Sequence, residues 1–260
     1  MPWSISKANL ALQCSLRYSL QYVEKAPGVK PESGAGRVGQ GVHSLLENAI
    51  KGRGTLESNF VEACVSSRLT HNEVYELKTY LRSVDRFVTR FRAFCEAQEI
   101  PPEHIWAEKY FGVDSDFNAV TDRWSKKTWL LGYSDLVVLS KRGDKSRILI
   151  IDHKSGEPSL ETTKHADQLK VYGAMALAHW PDAEGVQVCL HWPREDDDTK
   201  MFAWESIWPA ARIRDEFIPE IKGLIQRAEV AAAAPPAAAR NEYCEYCQFK
   251  YRCPLFAAKQ

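Results

Sequence analysis

WLLGYSDLVVLSKRGDKSRILIIDHK, residues 129–154, is the stretch on which the fold turns. Two apolar runs, Trp129 to Leu139 and Ile148 to Lys154, flank the polar turn Lys141-Arg142-Gly143-Asp144-Lys145. Apolar strand-length runs on either side of such a turn predict a β-hairpin. The first run carries Gly132-Tyr133-Ser134-Asp135, and the second leads through Ile148-Leu149-Ile150-Ile151 into Asp152-His153-Lys154. In a hairpin Asp135 and Asp152 can converge on one cation, and hard carboxylate oxygens suit Mg²⁺ or Mn²⁺. Lys154 stands two residues beyond Asp152, so strand alternation gives both the same face. Two carboxylates and an ammonium can together hold metal, water and phosphate. An isolated Asp-x-Lys is an ordinary strand end; the apolar strand before it and the Gly-x2-Asp on the preceding strand give it chemical weight.

Working outward, the period shifts toward two from Ile105, where Trp106, Glu108, Tyr110 and Gly112 alternate with other apolar residues and put Glu108 in a strand. On the other side, Thr163 to Trp180 reads as a helix through Leu169, Tyr172, Met175, Ala176 and His179, stopped by Pro181. Gln168 and Tyr172 lie one turn apart on it. Val186 to Trp192 and Met201 to Ile207 predict a second strand pair, and a last helix follows from about Pro209 to Ala232. Toward the N-terminus, Ser6 to Tyr22 reads as a helix with a Ser6 or Asn9 cap. Gly39 leads into a helical pattern, Val42-x2-Leu45-Leu46-x3-Ile50, with His43 in its first turn. Leu56 to Gln98 is largely helical and predicts an inserted subdomain over residues 52–100. These elements make one α/β domain over residues 1–260, a mixed central sheet flanked by helices.

With 260 residues, 45% of them hydrophobic and 26% charged, the chain can bury a full core. Its 34 basic and 34 acidic side chains balance to a formal charge of +0, so no global field gathers nucleic acid and any DNA binding needs a local patch. Met1-Pro2-Trp3-Ser4-Ile5-Ser6-Lys7 lacks the layout of a secretory signal, and no apolar run approaches the roughly 18 residues of a membrane span. The expected location is the cytoplasm, that of the host cell if the protein is phage-encoded. In that compartment seven cysteines point to metal rather than to disulfides. Cys244-x2-Cys247-x5-Cys253-Pro254 carries the signal, because two sulfurs on a tight turn chelate one centre and a third returns within a short loop. Residues 231–239, AAAAPPAAA, form a spacer that delivers these cysteines to the body. Cys64, Cys95 and Cys189 lie on apolar faces and receive no ligand role.

The order Gly39-x3-His43, Glu108, Gly132-x2-Asp135, Asp152-His153-Lys154, Gln168-x3-Tyr172 resembles the PD-(D/E)XK nuclease superfamily in its RecB-like exonuclease branch. The terminal cysteines, with Cys14 as the fourth, resemble the iron-sulfur members of that branch, the CRISPR-associated Cas-four exonucleases and the AddB nuclease domain. The resemblance covers nearly the whole chain, Cys14 to Cys253. It departs at Asp152, where many relatives carry Glu, and at Ser15, where Pro is common. It implies a restriction-endonuclease-like fold with a cluster cap built from residues 1–25 and 241–260. It also implies that Asp135, Asp152, His43 and the backbone carbonyl of His153 ligate the catalytic Mg²⁺ or Mn²⁺. Glu108 would bind a second metal or its water, and Lys154 would orient or deprotonate the attacking water. Gln168 and Tyr172 would brace Lys154 and the substrate, and Cys14, Cys244, Cys247 and Cys253 would hold a [4Fe-4S] cluster. Spacing alone leaves structural zinc open.

The expected activity is metal-dependent exonucleolytic hydrolysis of DNA at single strands or ends, in recombination, repair, phage DNA processing or CRISPR adaptation. A recombination or CRISPR integration partner follows from the same resemblance, and no membrane association is expected from the lack of a long apolar run. The alternatives are a noncatalytic DNA-binding or assembly subunit that keeps the fold and cluster, and a zinc-stapled interaction protein. Arg82, Arg86 and Arg90 repeat every four residues and could track phosphates, although a solvated helix face with Glu76 and Asp85 as local partners accounts for them slightly better. Eight tryptophans and ten tyrosines are available to stack on bases, but none stands out in the sequence.

Overall fold

The computed structural model describes residues 1–28, 34–143, 145–156, 163–195 and 201–257. Its centre is a mixed sheet formed by β1 (Ile105–Val113), β2 (Leu130–Arg142), β3 (Lys145–His153), β4 (Ala183–His191) and β5 (Phe202–Trp204), in that spatial order, with β6 (Trp208–Pro209) also pairing with β4. β1, β2 and β3 are antiparallel neighbours, and β3 runs parallel to β4. The hairpin expected from residues 129–154 is present. Arg142 pairs with Lys145, and the tight turn places Gly143 at φ +59, a conformation that glycine adopts without Cβ strain. A parallel pair needs a crossover, and α7 (Thr163–His179) supplies it between β3 and β4.

Both faces of the sheet are covered, which is why β3 is apolar on both sides. Ile148 and Ile150 join one buried cluster with Leu169, Val171 and Met175 of α7, Ala8 and Ala11 of α1 (Ile5–Gln13), and Ile221 and Ile225 of α8 (Ile218–Ala233). Ile151, Leu136 and Val138 join the other. There they meet α3 (Gly34–Ile50) through Val38, Val42, Leu45 and Leu46, and α6 (Leu81–Ala97) through Val84, Phe87, Val88 and Phe91. Those residues recur at three-and-four spacing, so each helix presents one apolar stripe to the sheet. Each fully buried Leu contributes about 1.5–3 kcal/mol. The 52–100 segment carries α4 (Leu56–Ser66), α5 (His71–Lys78) and α6, with capping boxes at Thr55/Ser58 and Thr70/Glu73 opening the first two. It shares its core with α3.

Several boundaries depart from the periodicity, and α3 opens at Gly34 rather than Gly39, which puts His43 in its third turn and not its first. The helix expected over Ser6–Tyr22 breaks at Cys14, an extended residue (φ −162, ψ 96) between α1 and α2 (Ser15–Tyr18). Hydrogen bonds to the C-terminal segment take over there, with the Leu16 N–H donating to the Ala237 carbonyl at 3.1 Å and the Ala237 N–H donating to Ser15 Oγ at 3.0 Å. The strand expected over Met201–Ile207 shortens to β5 at Phe202–Trp204, and β6 follows beyond it at Trp208–Pro209, both pairing with β4. The last helix opens with short turns, Ala210–Arg212 and Ile213–Phe217, before α8. Among the described residues no helix is long and apolar enough to cross a membrane.

Candidate active site

Three carboxylates lie in one row across three neighbouring strands. The β1–β2 register pairs Ala107 with Leu136 and Lys109 with Ser134, which sets Glu108 opposite Asp135; the β2–β3 register ends at Leu136 and Ile151, which sets Asp135 beside Asp152. The Glu108–Asp135 pair is missing from the ladder, and Glu108 has φ +55. For a residue with a Cβ that conformation costs on the order of 1–2 kcal/mol. Both strands exchange faces there: on β2, Leu130 shares a cluster with Val137 rather than with Leu136, and on β1, Trp106 shares one with Phe111. The irregularity turns Glu108 and Asp135 toward α3.

α3 meets them with His43, whose Nδ1 lies 3.1 Å from Asp135 Oδ1. The ligand atoms of His43, Glu108 and Asp135 all fall within 4.8 Å of one another. The second oxygen of Asp135 accepts the His153 backbone N–H at 2.6 Å. Burial disfavours charge on all three groups, but its outcome differs at each. Burial and the neighbouring Asp135 push Glu108 up to about 7. Asp135 stays below the usual carboxylate range, because the His43 bond and charge outweigh its burial. The same bond, with the surrounding carboxylates, raises His43 against its own desolvation. Mixed imidazole and carboxylate donors packed this closely suit a Mg²⁺- or Mn²⁺-sized divalent ion, which would cancel the repulsion between Glu108 and Asp135.

Asp152 and Lys154 point to the α7 side of the strand end. Lys154 Nζ lies 2.5 Å from Asp152 Oδ2 and donates to Gln168 Oε1 at 3.0 Å. Gln168 Nε2 in turn faces Asp152 Oδ1 at 3.3 Å and Tyr172 Oη at 3.0 Å. Burial pushes Asp152 up to about 6 despite the ammonium beside it. The two motif glycines make room for these contacts. A Cβ on Gly132 would stand 2.8 Å from the Tyr172 ring, and one on Gly39 would stand 2.8 Å from Ser155 Oγ.

Several further side-chain contacts at the site left no recognisable pattern in the sequence. His153 and His191 pair across β3 and β4, with their Nδ1 atoms 2.8 Å apart, and burial holds His153 down at about 4. The His191 carbonyl accepts the Lys154 N–H at 2.8 Å, and Phe87 stacks on its ring at 4.3 Å. The Tyr80 hydroxyl donates to the Ser155 carbonyl at 2.9 Å. An open cavity of about 330 Å³ lies over His43, Asp135, Asp152, Lys154, Gln168 and Tyr172, and His165 and Trp192 also line it. A lone His or Trp on an apolar face gives no sequence signal that separates lining from core.

Away from this site, Arg82 and Arg90 are exposed, whereas Arg86 is half-buried and donates to the Glu195 carbonyl at 3.1 Å. The chain ends meet, as Asn241 Nδ2 donates to the Gln13 carbonyl at 3.3 Å and Arg252 pairs with Glu24 at 3.2 Å. Cys14, Cys244, Cys247 and Cys253 are all half-buried in this region, Cys244 Sγ accepting the Asn241 N–H at 3.3 Å. Cys95 and Cys189 are buried, and desolvation raises both thiols, Cys95 to about 11.

None of the curated proteins searched matches the sequence. Among solved structures, the crystal structure of SSO0001 is similar over 93% of this chain and 94% of its own, at 15% identity and a TM-score of 0.36. A crystal structure from Eubacterium rectale named "Putative exonuclease" is similar over 100% of this chain and 88% of its own, at 10% identity and a TM-score of 0.49. The model of the PD-(D/E)XK nuclease superfamily matches residues 2–254. The mixed sheet flanked by helices has that fold, and the chain belongs to the PD-(D/E)XK nuclease superfamily.

Proposed function

We propose that the protein is a divalent-metal-dependent DNA exonuclease of the RecB-like branch, acting on single strands or DNA ends in recombination, repair, phage DNA processing or CRISPR adaptation. The observation that carries this reading is the row Glu108–Asp135–Asp152, with His43 at one side and Lys154 at the other. His43, Glu108 and Asp135 would hold the ion, with Asp152 and the His153 carbonyl beside them. When bound, Mg²⁺ or Mn²⁺ neutralises phosphate charge and makes water more acidic. Lys154, clamped between Asp152 and Gln168, holds its ammonium at the cavity, where it orients water and stabilises negative charge on a phosphate. Tyr172 fixes Gln168 and so fixes the clamp.

Cys14, Cys244, Cys247 and Cys253 are proposed to hold a [4Fe-4S] cluster that pins the joined termini, a structural role. Iron and labile sulfide in the purified protein, with thiolate-to-iron absorbance, check this; stoichiometric zinc instead would reject it. For the catalytic reading, labelled single- and double-stranded DNA are incubated with Mn²⁺ or Mg²⁺, with and without EDTA. EDTA-sensitive mononucleotide release that Lys154→Ala lowers by about 10³-fold is the expected result. Binding without metal-dependent product would support the noncatalytic subunit.

A further inference from the structure

The β1–β2 hairpin continues past the carboxylate row. β3 stops pairing at Leu136, whereas β1 and β2 stay paired through Val113 and Leu130. That extension runs five residue steps along β2 from Asp135 to Leu130, roughly 17 Å at about 3.4 Å each. By alternation from Asp135, Tyr133 shares its face. Tyr133 is 45% exposed and meets Tyr110 edge-on at 5.5 Å. The loop joining the strands folds back along β1, where Val113 bridges Ala119 and the Val120 N–H donates to the Gly112 carbonyl at 2.8 Å, and it then presents Trp124, which is 77% exposed. The backbone that carries this open ring is fixed by local hydrogen bonds. The Trp124 N–H donates to Asp122 Oδ1 at 2.9 Å, the Ser125 N–H to the Asp122 carbonyl at 3.1 Å, and the Lys127 N–H to Ser125 Oγ at 3.2 Å. The Arg123 guanidinium lies 4.6 Å from the Trp124 ring centroid, and Lys126 and Lys127 follow, both exposed. Residues 123–127 therefore carry three cations and no acid. The nearby Asp114 is committed to Asp116 and Asn118 through three hydrogen bonds.

We infer that this hairpin is a binding arm for single-stranded DNA, on which Tyr133 and Trp124 stack unpaired bases while Arg123, Lys126 and Lys127 take phosphates; the inference rests on the nuclease reading for its choice of partner. A π-face accepts any base, so the arm is sequence-tolerant, and duplex ends offer it no unstacked base. At about 3.4 Å per stacked nucleotide the paired strands beyond the carboxylate row match the length of about five nucleotides.

Affinity for a fluorescent single-stranded oligonucleotide of about 20 nucleotides is measured in EDTA, so that cleavage does not enter. Trp124→Ala is expected to weaken binding about tenfold, the effect of losing one stacked base. Trp124→Phe should recover most of that loss, and binding to blunt duplex should change less than binding to single strands. Arg123→Ala, Lys126→Ala and Lys127→Ala combined should lower the salt slope of log K by about 2. Because all four side chains are exposed, unchanged thermal unfolding checks that the variants fold. Equal affinity of Trp124→Ala and the wild type, equal losses for Ala and Phe, or no single-strand binding by the wild type would each overturn the arm. A fully active Lys154→Ala enzyme would sink the nuclease reading instead, and the EDTA measurement stands apart from it.

Discussion

Asp135 and Cys14 both face partners far away in sequence, yet different kinds of backbone hold them. Asp135 is placed by the β-ladder on either side of it: its neighbours pair with β1 and β3, and its oxygens meet His43 and the His153 N–H. Cys14 sits in a break between two helices, held by side-chain and turn hydrogen bonds to a C-terminal segment with little regular structure. A ladder is cooperative and buried, so the first region should keep its geometry when one polar side chain is removed. Isolated exposed hydrogen bonds contribute only about 0.5–1.5 kcal/mol each, so the second region would gain more of its definition from the proposed cluster.

The largest expected effect tests the ladder-built region. Lys154→Ala should lower the cleavage rate by about 10³-fold, about 4 kcal/mol of barrier, with a Tm close to that of the wild type. A collapse of Tm in that variant would show that the site is not independent of the fold. Leu136→Ala is the converse case, since Leu136 is fully buried beside Asp135. It should cost about 2–5 kcal/mol in denaturant unfolding. Cys247→Ser should abolish cluster absorbance and lower Tm by about 5 °C or more; an unchanged Tm would mean that the hydrogen bonds alone hold the termini.

Smaller effects sharpen the same contrast. Glu108→Gly removes a carboxylate from the row and a Cβ from a left-handed position, so unfolding free energy should rise by about 1 kcal/mol while cleavage falls. Glu73 tests a polar contact outside both regions. Its hydrogen bonds with Arg37, together with the Thr70 N–H, hold its carboxyl at about 2. A depressed carboxyl stabilises above its unfolded value, about 4.5, and that share fades as pH falls toward 2. Comparing the urea midpoints of the wild type and Glu73→Gln across this window checks it, with the gap closing at the acid end.

The helices and strands were legible wherever apolar periodicity was strong. α6 declares itself through Val84, Phe87, Val88 and Phe91, and β3 through Ile148 to Ile151, because burial on a defined face demands that spacing. The break at Cys14 left no such trace, since its cause is Ala237, more than two hundred residues away. Likewise His191 looked like any strand residue until β4 aligned it with His153.

From residue order alone came the hairpin, its carboxylates and the lysine two positions on, because strand alternation and turn chemistry act over a few residues. Which imidazole meets which carboxylate, the left-handed turn of Glu108 and the reach of the hairpin beyond β3 were decided only in three dimensions. Those features depend on register between strands and on helices packed across them, and such contacts join residues whose spacing in the chain carries no periodic signal.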